Sequence, residues 1–312
     1  MDDTVLGRTG LRVSVMGLGC GGHSRLGQSY GNTETESVEV VRRALDLGVT
    51  FFDTAEGYGT EEILGKGLAG ARREEVVIST KKSMWGEKPL SACDIAPALE
   101  ASLRRLKTDY VDVYHLHGLS AEQYAHAVGE LVPELLRLRD QGKLRFIGVT
   151  EAFASDPGHE TLQRAVQDDC WDVVMVGFNM LNQSARERLF AKTIEKDIGV
   201  LIMFAVRRAL SDPAALEELL LDLRSRGLVD SDLVQDEHAL DFLLREGGAE
   251  SLPEAAYRFC RYEPGVHVVL SGTGKLDHLD RNATSLGRPP LPEEDVARLK
   301  LMFQRVDDVS GN

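Results

Sequence analysis

Cysteine is scarce. The chain has four in 312 residues, Cys20, Cys93, Cys170 and Cys260. Their long, irregular gaps exclude the close pairs of zinc sites and iron–sulfur runs and do not read as a disulfide scaffold. Positive charge is also in short supply: 36 Lys+Arg stand against 50 Asp+Glu, a net charge of −14. Nucleic-acid binding needs a clustered basic surface, so that class of partner is not expected. A local basic pocket for a phosphorylated cofactor remains compatible with this balance. Continuous apolar runs near the ~20 residues of a membrane span are missing. The start, Met1-Asp2-Asp3, has no apolar signal core. No low-complexity segment or linker divides the chain. These absences predict a reduced, cytoplasmic protein, with no metal, membrane or nucleic-acid partner, folded as a single domain over 1–312.

What is present is alternation. Apolar, β-branched runs occur at Val13–Met16, Thr50–Asp53, Val76–Lys81, Val111–His117, Leu144–Val149, Asp172–Phe178, Gly199–Ala205 and Val266–Leu270. Helical patterns separate them, over Ser37–Leu47, Asp94–Lys107, Glu160–Gln167 and Ser184–Lys196. Strands alternating with helices imply a parallel sheet with helical crossovers. An open doubly wound sheet and a closed (β/α)8 TIM barrel both satisfy this. Eight units in one uninterrupted series favour the barrel, which typically takes ~250 residues. The surplus is an N-terminal segment, a long loop after the seventh strand at 206–250 and a C-terminal helix over Pro292–Val306.

Gly17-Leu18-Gly19-Cys20-Gly21-Gly22 fits the G-x-G-x-x-G pattern of dinucleotide folds. That pattern must open a helix, whereas His23 to Asn32 has the composition of a loop. The expectation is a flexible glycine turn beside a ligand.

The chemistry gathers at strand ends. Asp53, Lys81 and His117 close the second, third and fourth runs, and Tyr58 lies in the loop after Asp53. In a barrel those ends converge on one face. A phenol with pKa near ~10 is a sluggish proton donor or acceptor at neutral pH. A neighbouring ammonium lowers that value, and a carboxylate keeps the ammonium charged. A histidine polarises a carbonyl or shares the proton. Alone, each residue has an ordinary role as a cap, a solvated charge or packing; together they form a proton-transfer set for a carbonyl or alcohol. Of His115 and His117, one is expected to face the helix layer and the other the mouth.

At these residues the sequence resembles the aldo-keto reductase family. The resemblance is carried by Leu6 to Ser14, Phe52-Asp53-Thr54-Ala55-Glu56-Gly57-Tyr58-Gly59, Ile78-Ser79-Thr80-Lys81, Tyr110 to His117 and Gly142 to Thr150. It runs from about residue 5 to Asn282. It implies a (β/α)8 barrel with an N-terminal hairpin that binds NAD(P)H and reduces aldehydes and ketones, or runs the reverse oxidation. By the resemblance Tyr58 is the general acid, Lys81 lowers its pKa, Asp53 holds Lys81 and His117 orients the carbonyl. The nicotinamide site falls on Thr150, Glu151, Met175 and Phe204. The adenosine end falls on Ser271, Gly272, Thr273, Lys275, His278 and Asn282.

The sequence departs from the family's pattern at named places. Glu151 stands where the family has Asn gripping the carboxamide, and an ionised carboxylate accepts but does not donate. Met175 stands where the family has Gln. Ala205-Val206-Arg207-Arg208 replaces Ser-Pro-Leu, and His278 replaces an Arg near the adenosine phosphate, with Lys275 and Arg281 close by. NADPH is the cofactor the family implies, with NADH as second choice. The resulting expectation is an NAD(P)H-dependent oxidoreductase acting on a small-molecule carbonyl or alcohol. The alternative is a nucleotide-binding regulatory subunit with little turnover. Substrate choice is assigned to the loops at His23–Tyr30 and 206–250, with Trp85 as a wall. No pattern sets the oligomeric state.

Overall fold

The computed structural model describes residues 1–86, 88–230, 232–234 and 238–312. Residues 231 and 235–237, inside the long loop expected at 206–250, lie outside the described residues.

Ten strands form. β1 (Asp3–Val5) and β2 (Arg12–Ser14) pair antiparallel as a hairpin. β3 (Met16–Gly19), β4 (Phe51–Asp53), β5 (Val77–Ser83), β6 (Val111–Leu119), β7 (Leu144–Glu151), β8 (Val173–Gly177), β9 (Gly199–Met203) and β10 (Val268–Ser271) close into a barrel. Every barrel pairing is parallel, and β10 joins β3 to complete the ring. The closed (β/α)8 architecture is thus the one present, and the open sheet is excluded.

The first strand differs from its expected place. Val13 belongs to the hairpin, and the barrel strand begins at Met16. Gly17 and Gly19 are therefore strand residues, not a turn. A Cβ at Gly17 would meet Leu270, Val268 and Phe51 side chains at 2.7 to 3.0 Å, so the crowded barrel interior demands glycine there.

Side-chain alternation sorts two cores. Leu6, Leu11 and Val13 of the hairpin segment pack with Phe51, Val77, Val113, Val173, Met175, Leu201 and Val268 inside the barrel. The hairpin plugs the end opposite the strand C-termini. The larger cluster lies between barrel and helices and includes Leu18, Phe52, Tyr114, Leu116 and Trp171. Each fully buried side chain of this size contributes roughly 1.5–3 kcal/mol. Asp112, 1% exposed, receives Arg73 and Arg145 at 2.8 Å each and the Ile78 amide at 2.9 Å. It ties β5, β6 and β7 together at the end away from the mouth.

Thr33 caps the helix Glu34–Asp46 in a reciprocal box with Glu36, which starts the helix three residues before the expected Ser37. The loop after β9 is not structureless: Asp212 caps a helix over Pro213–Ser225. The C-terminal helix spans Glu293–Phe303, and the tail beyond it returns to the barrel mouth, where Ala209 N donates to Gly311 O at 2.8 Å. Among the described residues no helix is long and apolar enough to cross a membrane, and no group of three or more His, Cys, Asp or Glu is placed to hold a metal ion.

Candidate active site

β4, β5 and β6 end side by side, and this brings Asp53, Lys81 and His117 together. Lys81 is fully buried. Its Nζ donates to Asp53 Oδ2 at 2.5 Å and to the Thr54 carbonyl at 2.6 Å. Ser79 Oγ donates to the other Asp53 oxygen at 2.8 Å. Burial is the largest single influence and would depress the Lys81 ammonium, but Asp53 and the nearby Tyr58 phenol together outweigh it and hold the group above the ordinary lysine value. The ammonium stays charged.

Tyr58 follows on a short 3-10 turn, Glu56–Tyr58, that ends at left-handed Gly59. Its hydroxyl lies 3.2 Å from His117 Nε2, and its ring centroid lies 5.2 Å from Lys81 Nζ. All four catalytic candidates therefore meet in one place. The expected acidification does not follow. Burial pushes the Tyr58 phenol above its ordinary value; Lys81 pulls it down, but less strongly. The phenol is held protonated, as a donor. Burial, aided by Lys81, depresses His117 to about 3, so its imidazole is neutral.

His115 and His117 do not face opposite sides. Residues two apart on a strand share a face, so Val113, His115 and His117 all point into the barrel while Tyr114 and Leu116 face the helices. His115 is fully buried beneath the site, its ring against Gly148, where a Cβ would stand 2.3 Å from Nδ1. A glycine also makes room for Tyr58, since a Cβ on Gly21 would meet the ring at 2.3 Å. Neither requirement was readable from the sequence alone. Trp85, 63% exposed, tilts over His117 at 4.6 Å between ring centroids and forms an apolar wall.

Two of the expected nicotinamide residues are turned away. The Glu151 side chain is buried, with Oε2 2.7 Å from His159 Nδ1 and Oε1 accepting from Gly177 N at 2.7 Å. His159 Nε2 lies 2.8 Å from Ser184 Oγ, which donates to Asn182 Oδ1 at 2.6 Å. Both carboxylate oxygens are thus engaged inside the fold. Met175, 3% exposed, packs in the barrel core. Thr150 Oγ1 accepts from Gly118 N at 2.8 Å, leaving its own proton free to donate. Phe204 adopts φ 71, a strained value for a residue with a Cβ, and presents its ring edge-on to Phe153 at 5.6 Å. His159 and Ser184 were missed by sequence reasoning; the only signal was Glu151 itself, an acid at a strand end with a histidine eight residues on.

At the other end of the mouth, Ser271 is buried between Tyr257 and Asn282, whose side chains reach its Oγ at 2.9 and 3.0 Å. Gly272 is exposed, Thr273 Oγ1 accepts from Lys275 N at 3.1 Å, and Lys275 opens the helix Leu276–Gly287. Gly274 packs so tightly on Gly27 that a Cβ would approach it to 2.1 Å. This seats the loop after β3 beside the loop after β10. His278 is exposed next to Asp277, and Arg281 Nη2 is bonded to Asp277 at 2.6 Å, leaving Lys275 as the cation of this group with no acidic partner among the described residues.

The comparisons with known proteins agree with this architecture. The chain is 40% identical over 152 residues to the L-galactose dehydrogenase of Arabidopsis thaliana; the match takes in 46% of this chain and 47% of that protein, so about half of each is compared. It is 24% identical over 306 residues to the uncharacterized oxidoreductase YqkF of Bacillus subtilis (strain 168), covering 95% of this chain and 94% of that one. Among solved structures, the aldo-keto reductase AKR11C1 from Bacillus halodurans, in its holo form, superposes with a TM-score of 0.71 at 24% identity, covering 97% and 96% of the two chains. A thermostable aldo-keto reductase, Tm1743, in complex with the inhibitor epalrestat, does so at 0.71 and 26% identity over 96% and 98%. A profile of the Aldo/keto reductase family matches residues 17–302, which takes in the barrel from its first strand to the C-terminal helix, and the chain belongs to that family.

Proposed function

We propose that the protein is a nicotinamide-dependent oxidoreductase that interconverts a small carbonyl compound and its alcohol. The observation that carries this reading is the Tyr58 hydroxyl set 3.2 Å from His117 Nε2, with the buried Lys81–Asp53 pair behind the ring. Tyr58 donates its proton to the carbonyl oxygen. The raised phenol keeps that proton available across the physiological range. Lys81, kept charged by Asp53, stabilises the phenolate left after transfer. The neutral His117 orients the oxygen by a hydrogen bond, without adding a competing charge beside Lys81.

The mouth fits a phosphorylated dinucleotide. Lys275 has no acidic partner among the described residues of a chain of net charge −14, and it opens a helix whose first amides receive no side-chain cap. Exposed Gly272 leaves the backbone open to close approach. Residues Thr150, Phe204, Gly272, Thr273 and Lys275 would hold it, with Ser271 and Asn282 shaping the loop and His278 at its edge. NADPH is the first choice and NADH the second. When bound, the cofactor supplies the hydride.

For the substrate, the exposed face of Trp85 beside His117 suits the C–H face of a sugar ring, in keeping with the name of the plant relative. A second reading is a nucleotide-binding subunit with little turnover. It is favoured by Glu151, whose carboxylate is committed to His159 and Gly177 and is not offered to the mouth. Mixing the protein with NADPH or NADH and a panel of aldehydes and aldoses, and following nicotinamide absorbance, tests both. Turnover supports the enzyme. Tight dinucleotide binding with no substrate reduced supports the subunit and overturns the enzyme.

A further inference from the structure

Around the catalytic candidates the charges are matched in pairs. Lys81 meets Asp53, Lys82 meets Glu56 at 2.8 Å, and Glu151 meets His159. Arg207 breaks the pattern. It follows β9 by four residues, and no carboxylate among the described residues pairs with it. Its guanidinium carbon lies 3.9 Å above the Phe204 ring, and its Nε is buried with no hydrogen-bond partner among the described residues.

The side chain is also held in place. Its backbone is extended at the cap of a 3-10 turn, Arg208–Leu210. Its stem is backed by Gly311 of the C-terminal tail, where a Cβ would stand 3.3 Å from Arg207 Cβ. Phe204, in its strained left-handed conformation, forms the floor. Arg207 follows the C-terminal end of β9, on the same face of the parallel barrel at which β4, β5 and β6 present Asp53, Lys81 and His117.

A guanidinium stripped of part of its water and given no acceptor is costly, and such groups in native proteins call for an explanation. An aromatic face recovers some of that cost but offers no hydrogen bond. The fork of the guanidinium matches two oxygens of a carboxylate or phosphate. Barrels of this kind commonly build an anion site from the loops after their last two strands.

We propose that Arg207 is the receptor for an oxyanionic group, a carboxylate or phosphate, that enters the mouth on the substrate or on the dinucleotide. The proposal rests on the reading of this mouth as the reaction site, but not on turnover. Phe204 sets the height of the fork and the C-terminal tail sets its direction. Arg207 is then a specificity residue, selecting anionic over neutral partners.

The test uses the full chain and three probes: inorganic phosphate, pyrophosphate and malonate. Each is titrated by calorimetry against wild type, Arg207→Met and Arg207→Lys, with thermal melts run alongside. The expected result is that at least one probe binds wild type and weakens about tenfold or more in Arg207→Met, with an intermediate loss in Arg207→Lys, which keeps the charge but not the fork. A probe displaced by saturating dinucleotide assigns the anion to the cofactor; a probe that still binds beside it assigns the anion to the substrate. Failure of every probe to bind wild type, or equal binding by a well-folded Arg207→Met, overturns the proposal and leaves Arg207 as packing on Phe204. A protein that binds these anions through Arg207 yet reduces no carbonyl compound would lose the proposed enzyme function and keep this site.

Discussion

The Tyr58 hydroxyl and His117 Nε2 face each other at 3.2 Å, with the fully buried Lys81 ammonium 5.2 Å from the centre of the Tyr58 ring. The contact joins a loop residue to a strand residue 59 positions away. Only the closed barrel brings them together. Tyr58→Phe keeps the ring against Gly21 and removes the proton. Turnover of a good carbonyl substrate should fall by roughly 10²–10⁴, the usual contribution of a general acid. Dinucleotide affinity, followed by fluorescence quenching, should be nearly unchanged. A variant that turns over at the wild-type rate removes Tyr58 from the proton path.

His117 provides a pH test. Burial first, and Lys81 second, depress its pKa to about 3. In the unfolded chain a histidine takes up a proton near ~6.5. Between those values the unfolded state binds more protons than the native state, so stability falls as pH drops through that window and is fully present above it. His117→Gln should flatten part of this slope. Urea midpoints between pH 6.5 and 4 should therefore fall more steeply for wild type than for the variant. Parallel slopes would show that the imidazole is not held neutral by the fold.

The barrel was legible because eight apolar runs and their helices repeat in one series, and that rhythm is set by burial on both faces of a parallel sheet. Asp53, Lys81 and His117 were legible for a related reason: strand ends converge, whatever the loops do. The register at the first strand was not. Val13 and Met16 look alike as apolar residues, and only the pairing of Val13 with Thr4 separates hairpin from barrel. The direction of the Tyr58 shift was also hidden, because it depends on how deeply the ring is buried against how close Lys81 lies. The partners of Glu151 were hidden for the same kind of reason. His159 sits at φ 58, a left-handed position no local pattern announces, and Ser184 arrives from another segment of the chain.

Glu151 and His159 form a buried pair whose two halves should respond differently to mutation. Glu151→Gln keeps an oxygen for Gly177 N and turns a donor toward His159. The imidazole can answer with its other tautomer, donating through Nε2 to Ser184 Oγ, whose proton already points to Asn182. The expected loss is about 1 kcal/mol. His159→Ala leaves the carboxylate buried with one oxygen unmatched. Removing one partner of such a pair costs about 3–5 kcal/mol. Urea unfolding of both variants reads the difference; similar losses would mean that the pair is not coupled.

If the proposed dinucleotide site is correct, Lys275 should decide between the two cofactors. It is exposed, has no acidic partner among the described residues and begins the helix Leu276–Gly287, where amides and helix dipole favour an anion. Arg281, its nearest rival, is already committed to Asp277. A 2′-phosphate placed here would take a charge-assisted bond from Lys275, whereas NADH has no such group to offer. Lys275→Ala should therefore weaken NADPH by about fivefold to tenfold, which is about 1–1.4 kcal/mol, and leave NADH close to wild type. The site is open to solvent, so the gap between the two cofactors should narrow as ionic strength rises. Fluorescence titrations of both dinucleotides at low and high salt measure it. Equal losses for NADPH and NADH would take the phosphate away from Lys275 and leave NADH as the better fit to this mouth.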